Sequence, residues 1–199
     1  MAGRRSLVVA GVALAGVLGG LPVDGRDEVA VTVHVENYAA VPPEDWDLVT
    51  REVDDIFRSG GITLKWEGAL RVPMREVPRD GVRRMALVVL DIQEPFAGSE
   101  RDTADVLGRA APHLSRAWVF ANRVTEITKA GSMDANLLLA RVVAHEMGHL
   151  LLGSMAHAPR GIMRAGLPLD VVGFYRFTEE QAGKISDGIR RQARAAAPG

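Results

Sequence analysis

The chain has 199 residues and a formal net charge of −1, so its length allows one domain with a core of ordinary size. The near-neutral charge gives no electrostatic reason to expect nucleic acid or an anionic membrane surface as a partner. The sequence contains no cysteine, which excludes disulfides, thiolate catalysis and any metal site built on cysteine. A metal site in this chain must therefore use histidine and carboxylate ligands.

The N-terminal segment has the pattern of a signal peptide. Arg4 and Arg5 form a short basic region, and residues 6–21 are apolar and rich in glycine and alanine. This apolar stretch is short for a membrane-spanning helix, which needs roughly 20 apolar residues. We therefore expect residues 1–22 to be a signal peptide, or a membrane anchor if the segment is retained. The protein is accordingly expected to be exported, either to the periplasm or out of the cell.

Hydrophobic periodicity and turn signals predict the elements in chain order. The four predicted strands lie at residues 29–35, 62–66, 85–92 and 117–124. A first helix is predicted between Pro43 and Gly60, and residues 93–115 are predicted to form a long loop. The order predicts one α+β domain over residues 28–196 with a mixed four-stranded sheet.

Two further helices follow the fourth predicted strand. A long helix is predicted over residues 133–152, with Ser132 as its N-cap and Gly153 just beyond its C-terminus. Thr178 and Gln181 have the spacing of a capping box, which predicts the start of a last helix. The inward face of that last helix is predicted to comprise Ala182, Ile185 and Ile189.

The segment HEMGH at residues 145–149 lies inside the strongest predicted helix. Positions four apart lie on the same face of a helix, so His145 and His149 can direct two imidazole nitrogens at one point. Zinc accepts such nitrogens, and a catalytic zinc site uses three protein ligands and leaves one position for water. Glu146 lies on a neighbouring face, from which it can take a proton from that water as a general base.

The longer segment HEMGHLLLGSMAHAPRGIM at residues 145–163 resembles the active-site region of the metzincin metallopeptidases. The family pattern has two helix histidines, a glutamate, a glycine that turns the chain, a third histidine and a methionine turn under the zinc. Gly153, His157 and Met163 occur in that order. The spacing differs, because one extra residue precedes the glycine and another separates it from His157.

The resemblance implies a zincin-like fold in which an active-site helix and a C-terminal helix accompany the sheet. It implies Zn²⁺ held by His145, His149 and His157, with Glu146 as the base and Met163 as the structural methionine of the turn. It also implies that an edge strand pairs with an extended peptide substrate, for which residues 117–122 are our candidate. Core filling is the alternative role for Met163.

Other residues carry weaker signals. Glu179 or Glu180 could supply a carboxylate as third zinc ligand, although their place in the capping box offers a sufficient structural explanation. His34 and His113 have no partner nearby in sequence and are interpreted as structural histidines. Tyr175 could stabilise an oxyanion, but packing beside the neighbouring phenylalanines Phe174 and Phe177 is the favoured interpretation.

Three classes of function remain open at this point. The favoured one is a zinc metalloendopeptidase that acts on a peptide or protein; the others are a zinc-dependent endoribonuclease and a non-catalytic, zinc-stabilised binding module. The glutamate, the export segment and the lack of a basic patch argue against the ribonuclease, and a structural zinc site has no need of a base. We expect a monomer that binds neither nucleic acid nor, unless the N-terminal segment is retained, a membrane.

Overall fold

The computed structural model describes residues 29–68, 83–91, 106–129, 131, 133–166 and 175–196. The predicted signal segment, Ser132 and Phe174 lie outside these residues. Within the described ranges, no helix combines the length and the apolar character that a membrane crossing requires.

Five strands of the described residues form one sheet. They are β1 (Val29–Asn37), β2 (Ile62–Glu67), β3 (Arg83–Leu90), β4 (Gly108–Ala111) and β5 (Arg116–Phe120). Their order is β2-β1-β3-β5-β4, in which β4 pairs antiparallel with β5 and the other pairs are parallel. The predicted α+β class with a mixed sheet is confirmed, but the described sheet has five strands instead of the four that were predicted.

In the part of the chain that the structure describes, four α-helices accompany the sheet. They are α1 (Pro43–Arg58), α2 (Ala121–Lys129), α3 (Ala135–Leu152) and α4 (Glu179–Ala196). A short 3-10 turn at Pro112–Leu114 joins β4 to β5. The active-site helix and the C-terminal helix expected from the resemblance correspond to α3 and α4.

The strand missed by the sequence analysis is β4, which lies inside the loop predicted at residues 93–115. Its sequence, GRAA, lacks the β-branched and aromatic side chains that mark strands. Among the described strands, β4 is the last in the sheet order and forms its edge, so β5 is an interior strand. The prediction that residues 117–122 form the edge strand is therefore wrong, because β4 pairs along the outer side of β5.

The fourth predicted strand, residues 117–124, is too long, because β5 ends at Phe120 and α2 begins at Ala121. Val124 is buried and Ile127 is half-buried, and this spacing of three residues is that of a helix. The apolar run of residues 117–121 continues one residue past the end of β5, which concealed the change of period. Helix α3 in turn has Asp134, not Ser132, immediately before its first residue.

Buried side chains of the sheet, α1, α3 and α4 form one apolar cluster. Alternate residues of β1, namely Val31, Val33 and Val35, are completely buried, as expected for a strand with one face on the core. The predicted inward residues of α4, Ala182, Ile185 and Ile189, are buried as well. Helix α3 is buried without interruption from Leu138 to Leu151, so it runs through the centre of the molecule.

Candidate metal centre

Helix α3 is fixed at both ends by its own sequence. The Asp134 side chain accepts a hydrogen bond of 3.0 Å from the backbone N–H of Leu137, which caps the N-terminus. Gly153 follows the last helical residue with φ of +64°, and its N–H donates to the carbonyl of His149. A left-handed glycine in this position ends the helix and reverses the chain, as predicted. The reversal sends the following segment, residues 154–166, back along the helix; we call it the ligand loop.

Three histidines meet where α3 and the ligand loop approach each other. His145 and His149 come from successive turns of α3, and His157 comes from the ligand loop; one ligand nitrogen from each lies within 4.8 Å of the others. The two helix histidines are 8% and 1% exposed, whereas His157 is exposed to solvent. Within the described ranges, no other group of three or more histidine or acidic side chains lies close enough together to hold a metal ion.

Backbone carbonyls fix the tautomers of the two helix histidines. Nδ1 of His145 lies 2.7 Å from the carbonyl oxygen of Ile162, and Nδ1 of His149 lies 2.7 Å from that of Ser154. A carbonyl oxygen can only accept, so both Nδ1 atoms carry a proton and both Nε2 atoms carry a lone pair. Histidines that ligate metals characteristically donate their second ring N–H in this way.

The Nε2 atoms of His145 and His149 face each other at 3.1 Å. Two lone pairs at this separation repel each other, and a cation placed between them would convert the repulsion into attraction. Three neutral imidazole nitrogens are a donor set that suits zinc and leaves a fourth coordination position open. The chemistry of the residues present therefore fits Zn²⁺.

The electrostatic environment keeps the two helix histidines neutral. Burial lowers the pKa of His145 to about 4, and the hydrogen bond to Ile162 opposes this shift only in part. Burial also lowers the pKa of His149. Since the neutral ring is the form that binds a metal, both side chains offer a lone pair at neutral pH.

Glu146 is 7% exposed and lies against the edge strand. A Cβ atom added to Gly108 of β4 would lie 2.7 Å from Cγ and 2.9 Å from Oε1 of Glu146, so only glycine leaves room for this side chain. Burial raises the pKa of Glu146 to about 8, and the positive charge of Arg109 acts in the opposite direction. A cation at the three histidines would likewise favour the ionised carboxylate.

Met163 lies in the ligand loop and is 1% exposed. A Cβ added to Gly148 of α3 would clash with its sulfur atom, which places the thioether directly against the helix between the turns that carry the ligands. The Met163 carbonyl accepts a hydrogen bond of 2.7 Å from the N–H of Ala158, the residue after His157. This bond closes residues 158–163 into a turn that begins directly after His157, the third histidine.

The weaker candidates do not join this cluster. His34 is on β1 beside Gly68, and His113 is exposed in the 3-10 turn. Glu179 and Glu180 are exposed in the first turn of α4, where Thr178 and Gln181 form the predicted capping box. None of the four belongs to the group that could hold a metal.

Tyr175 is packed instead of being presented to solvent. It is 5% exposed, and the guanidinium carbon of Arg141 lies 3.1 Å from the centre of its ring. Phe177 packs edge-on against Phe57 with ring centres 4.9 Å apart. Tyr175 is therefore buried, but the ring contact that the structure describes is with Arg141, and Phe174 lies outside the described residues, so packing of Tyr175 beside the phenylalanines stays a prediction.

Sequence reasoning missed the residues that orient the histidines. The carbonyls of Ile162 and Ser154 do this, and every residue type has a backbone carbonyl, so no residue type could have marked them. Gly108 was missed because β4 was not predicted. A glycine near the end of a loop carries no specific signal until its strand partner is known.

No model of a known protein family matches the chain, and no curated protein matches its sequence. The fold is similar to that of a zinc-dependent peptidase from Methanocorpusculum labreanum, with a TM-score of 0.51 and 20% identity over 78% of this chain and 99% of that one. An archaemetzincin from Methanopyrus kandleri superposes with a TM-score of 0.45 and 16% identity over 86% of this chain and 99% of that one. The first similarity shows that the chain has the α+β fold of that structure.

Proposed function

We propose that this protein is a zinc-dependent peptidase that hydrolyses internal peptide bonds of a peptide or protein. The observation that carries the proposal is the pair of facing Nε2 lone pairs of His145 and His149, with His157 beside them. The fold is that of a structure described as a zinc-dependent peptidase, which supports the same class of reaction. In this proposal the third ligand is His157 and not Glu179 or Glu180.

Zinc at this position would supply Lewis-acid chemistry, which acidifies water and polarises a carbonyl group. Glu146 neighbours the first ligand and is held against β4, so its carboxylate accepts the proton of the attacking water. The same carboxyl group then returns a proton to the departing amine. Burial around Glu146 excludes bulk water, which would otherwise compete for these proton transfers.

The edge strand β4 gives the substrate a place to bind. Extended peptides commonly bind proteins by adding a strand to a sheet edge. β4 is that edge, and its first residue, Gly108, is in contact with Glu146. A peptide that pairs with β4 would therefore pass the proposed base. We assign the structural role of the turn to Met163, which packs under the ligand helix at Gly148.

A comparison of wild type with Glu146→Gln tests the function. The amide is nearly isosteric with the acid, so zinc content should persist, while the rate of cleavage of a peptide library falls by about 10²–10⁴. Full cleavage by Glu146→Gln would contradict the mechanism. Single-stranded RNA serves as a second substrate: its cleavage, without peptide cleavage, would establish the endoribonuclease instead. Zinc in both proteins with no cleavage of either substrate would establish the binding module.

We also propose that the protein is exported, on the basis of the basic and apolar N-terminal pattern at residues 1–22. The mature chain should lack roughly the first 20 residues. Intact-mass measurement of the periplasmic or secreted protein tests this expectation. A mass that still includes Met1 would favour the retained anchor.

A further inference from the structure

The peptide group of Ile162 links the metal centre to the C-terminal part of the fold. Its carbonyl oxygen receives the Nδ1–H of His145 at 2.7 Å, and its N–H donates to the carbonyl of Arg176 at 2.9 Å. Ile162 is completely buried. The bond to Arg176 fixes the position of Ile162, and the Ile162 carbonyl orients the ring of His145. The direction of the His145 Nε2 lone pair therefore depends on the position of Arg176, which precedes α4.

Gln181, in the first turn of α4, is hydrogen-bonded to the same part of the ligand loop. Its Oε1 accepts the N–H of Thr178 at 2.9 Å, which is its half of the capping box. Its Nε2 donates to the carbonyl of Arg160 at 3.3 Å, two residues before Ile162. The side chain is 8% exposed, so both of these bonds are protected from water.

The contact between Gln181 and the loop is direct. Gly161 has φ of +75°, and a Cβ added there would lie 2.9 Å from the Arg176 carbonyl and 3.0 Å from Oε1 of Gln181. The turn therefore packs against the capping box with no space between them. A glutamate would complete a capping box as well as a glutamine does, but an ionised glutamate has no N–H to offer the Arg160 carbonyl.

We infer that Gln181 is a positioning residue for the zinc ligand His145. Through its amide it fixes the Arg160 carbonyl, and thereby the Ile162 carbonyl that orients the imidazole. Partners of this kind behind a metal ligand hold the ring and raise its basicity. The inference rests on the proposed function, because it takes His145 to be a zinc ligand.

Two substitutions separate positioning from helix capping. Gln181→Glu keeps an acceptor for the Thr178 N–H and removes the donor to Arg160. Thr178→Val removes part of the helix cap instead, because the lost hydroxyl accepts the backbone N–H of Gln181 at 3.3 Å. The side-chain amide of Gln181, with its donor to Arg160, stays in place. Valine also keeps a methyl group at the position of Cγ2, which packs near Gly161.

The measurement is zinc affinity of the full-length chain at pH 8, by competition with a chromophoric chelator, alongside thermal unfolding and the absorption spectrum of the Co²⁺-substituted protein. We expect Gln181→Glu to raise the zinc dissociation constant about tenfold, the lower end of the loss seen for partners of metal ligands. Its Co²⁺ spectrum should shift. Thr178→Val should lower the unfolding temperature but leave zinc affinity and the Co²⁺ spectrum unchanged.

Gln181→Met extends the test, because methionine cannot donate whatever the pH, and it replaces Gln181→Glu if that variant does not fold. Wild-type zinc affinity in Gln181→Glu and Gln181→Met would overturn the inference while leaving the proposed function intact. An equal loss of affinity in Thr178→Val would also overturn it, since capping alone would then explain the effect. Wild-type protein that binds no zinc would instead refute the proposed function itself, and the inference with it.

Discussion

The candidate metal centre is built from two halves that differ in burial. His145 and His149 lie on α3, which is buried without interruption from Leu138 to Leu151, and each donates to a backbone carbonyl. His157 lies on the exposed part of the ligand loop. Side chains on a packed helix are held more accurately than side chains on a loop. We therefore expect the helix to set the position of a bound metal and the loop to complete its ligand set.

The two halves nevertheless depend on each other. The carbonyls that orient the helix histidines belong to Ser154 and Ile162, which are both in the ligand loop. Met163 of the loop packs against Gly148 of the helix. In the proposed site the loop would therefore supply one ligand directly, and its carbonyls orient the other two candidate ligands.

The largest effect is expected from removal of a helix ligand. His149→Ala deletes a nitrogen ligand that is 1% exposed, and among the described residues no fourth histidine or acidic side chain belongs to the cluster. Loss of a group that hydrogen-bonds to a metal ligand costs about 10–100-fold in metal affinity. Loss of the ligand itself should therefore lower the zinc affinity by more than about 100-fold. Metal analysis after dialysis, with chelator competition, gives the number. Stoichiometric zinc in His149→Ala would mean that the helix does not set the metal position.

Removal of the loop ligand should have a smaller but still large effect. His157→Ala should lose most of the zinc, yet its affinity should exceed that of His149→Ala, because water can reach this exposed position and fill it. Glu179→Ala is the control, since Glu179 is exposed in α4 and outside the histidine cluster. Equal zinc occupancy in wild type and His157→Ala would remove this histidine from the site and return the carboxylate to consideration.

Contact between the halves is tested at Gly148. A methyl group there would clash with the Met163 sulfur and approach Cε1 of Phe177 at 3.0 Å. We expect Gly148→Ala to lower the free energy of unfolding by about 1–3 kcal/mol, the usual cost of overpacking a core. Chemical denaturation measures the change.

Gly183 provides the matched control for Gly148, because a Cβ added at this helical position meets nothing within 4 Å. Gly183→Ala should increase the free energy of unfolding by roughly 0.5–1 kcal/mol, because alanine restricts the unfolded chain and favours the helix. If both substitutions stabilise the protein, then α3 and the loop are not packed tightly together.

The same two halves mark what the sequence could and could not predict. The helix half follows from spacing alone: a residue and its fourth successor share a helix face, so HEMGH implies two histidines on one side and the glutamate beside them. The ligand loop follows only in part. Residue types suggested Gly153, His157 and Met163, but the carbonyls that complete the site depend on contacts far apart in the sequence, such as Ile162 with Arg176.

The errors in the fold have a related physical origin. β4 is stabilised by pairing with β5, and its four residues have little intrinsic preference for a strand. The junction between β5 and α2 lies at the end of the short apolar run of residues 117–121, and the period of so short a run cannot separate a buried strand from the start of a helix. The edge strand was assigned to the wrong segment because β4 was not predicted, although β5, the strand with which it pairs, was.

The smallest effect on the metal centre is expected at Gly153, in the turn between the two halves. Gly153 has φ of +64°, and a Cβ added there meets nothing within 4 Å, so the cost of a side chain is purely conformational. Gly153→Ala should lower the free energy of unfolding by about 1 kcal/mol, whereas Gly153→Asn should cost less, because asparagine adopts the left-handed conformation more readily.

Zinc affinity should change little in either Gly153 variant, because the turn can keep its shape and the bond from His149 to the Ser154 carbonyl can persist. Chemical denaturation and chelator competition on the same preparations measure the two quantities separately. A large loss of zinc affinity in Gly153→Ala would show that small changes of backbone conformation at the turn alter the positions of the helix histidines. The expected division into a buried helix half that sets the metal position and an exposed loop half that completes the site would then be wrong, because the turn would control both.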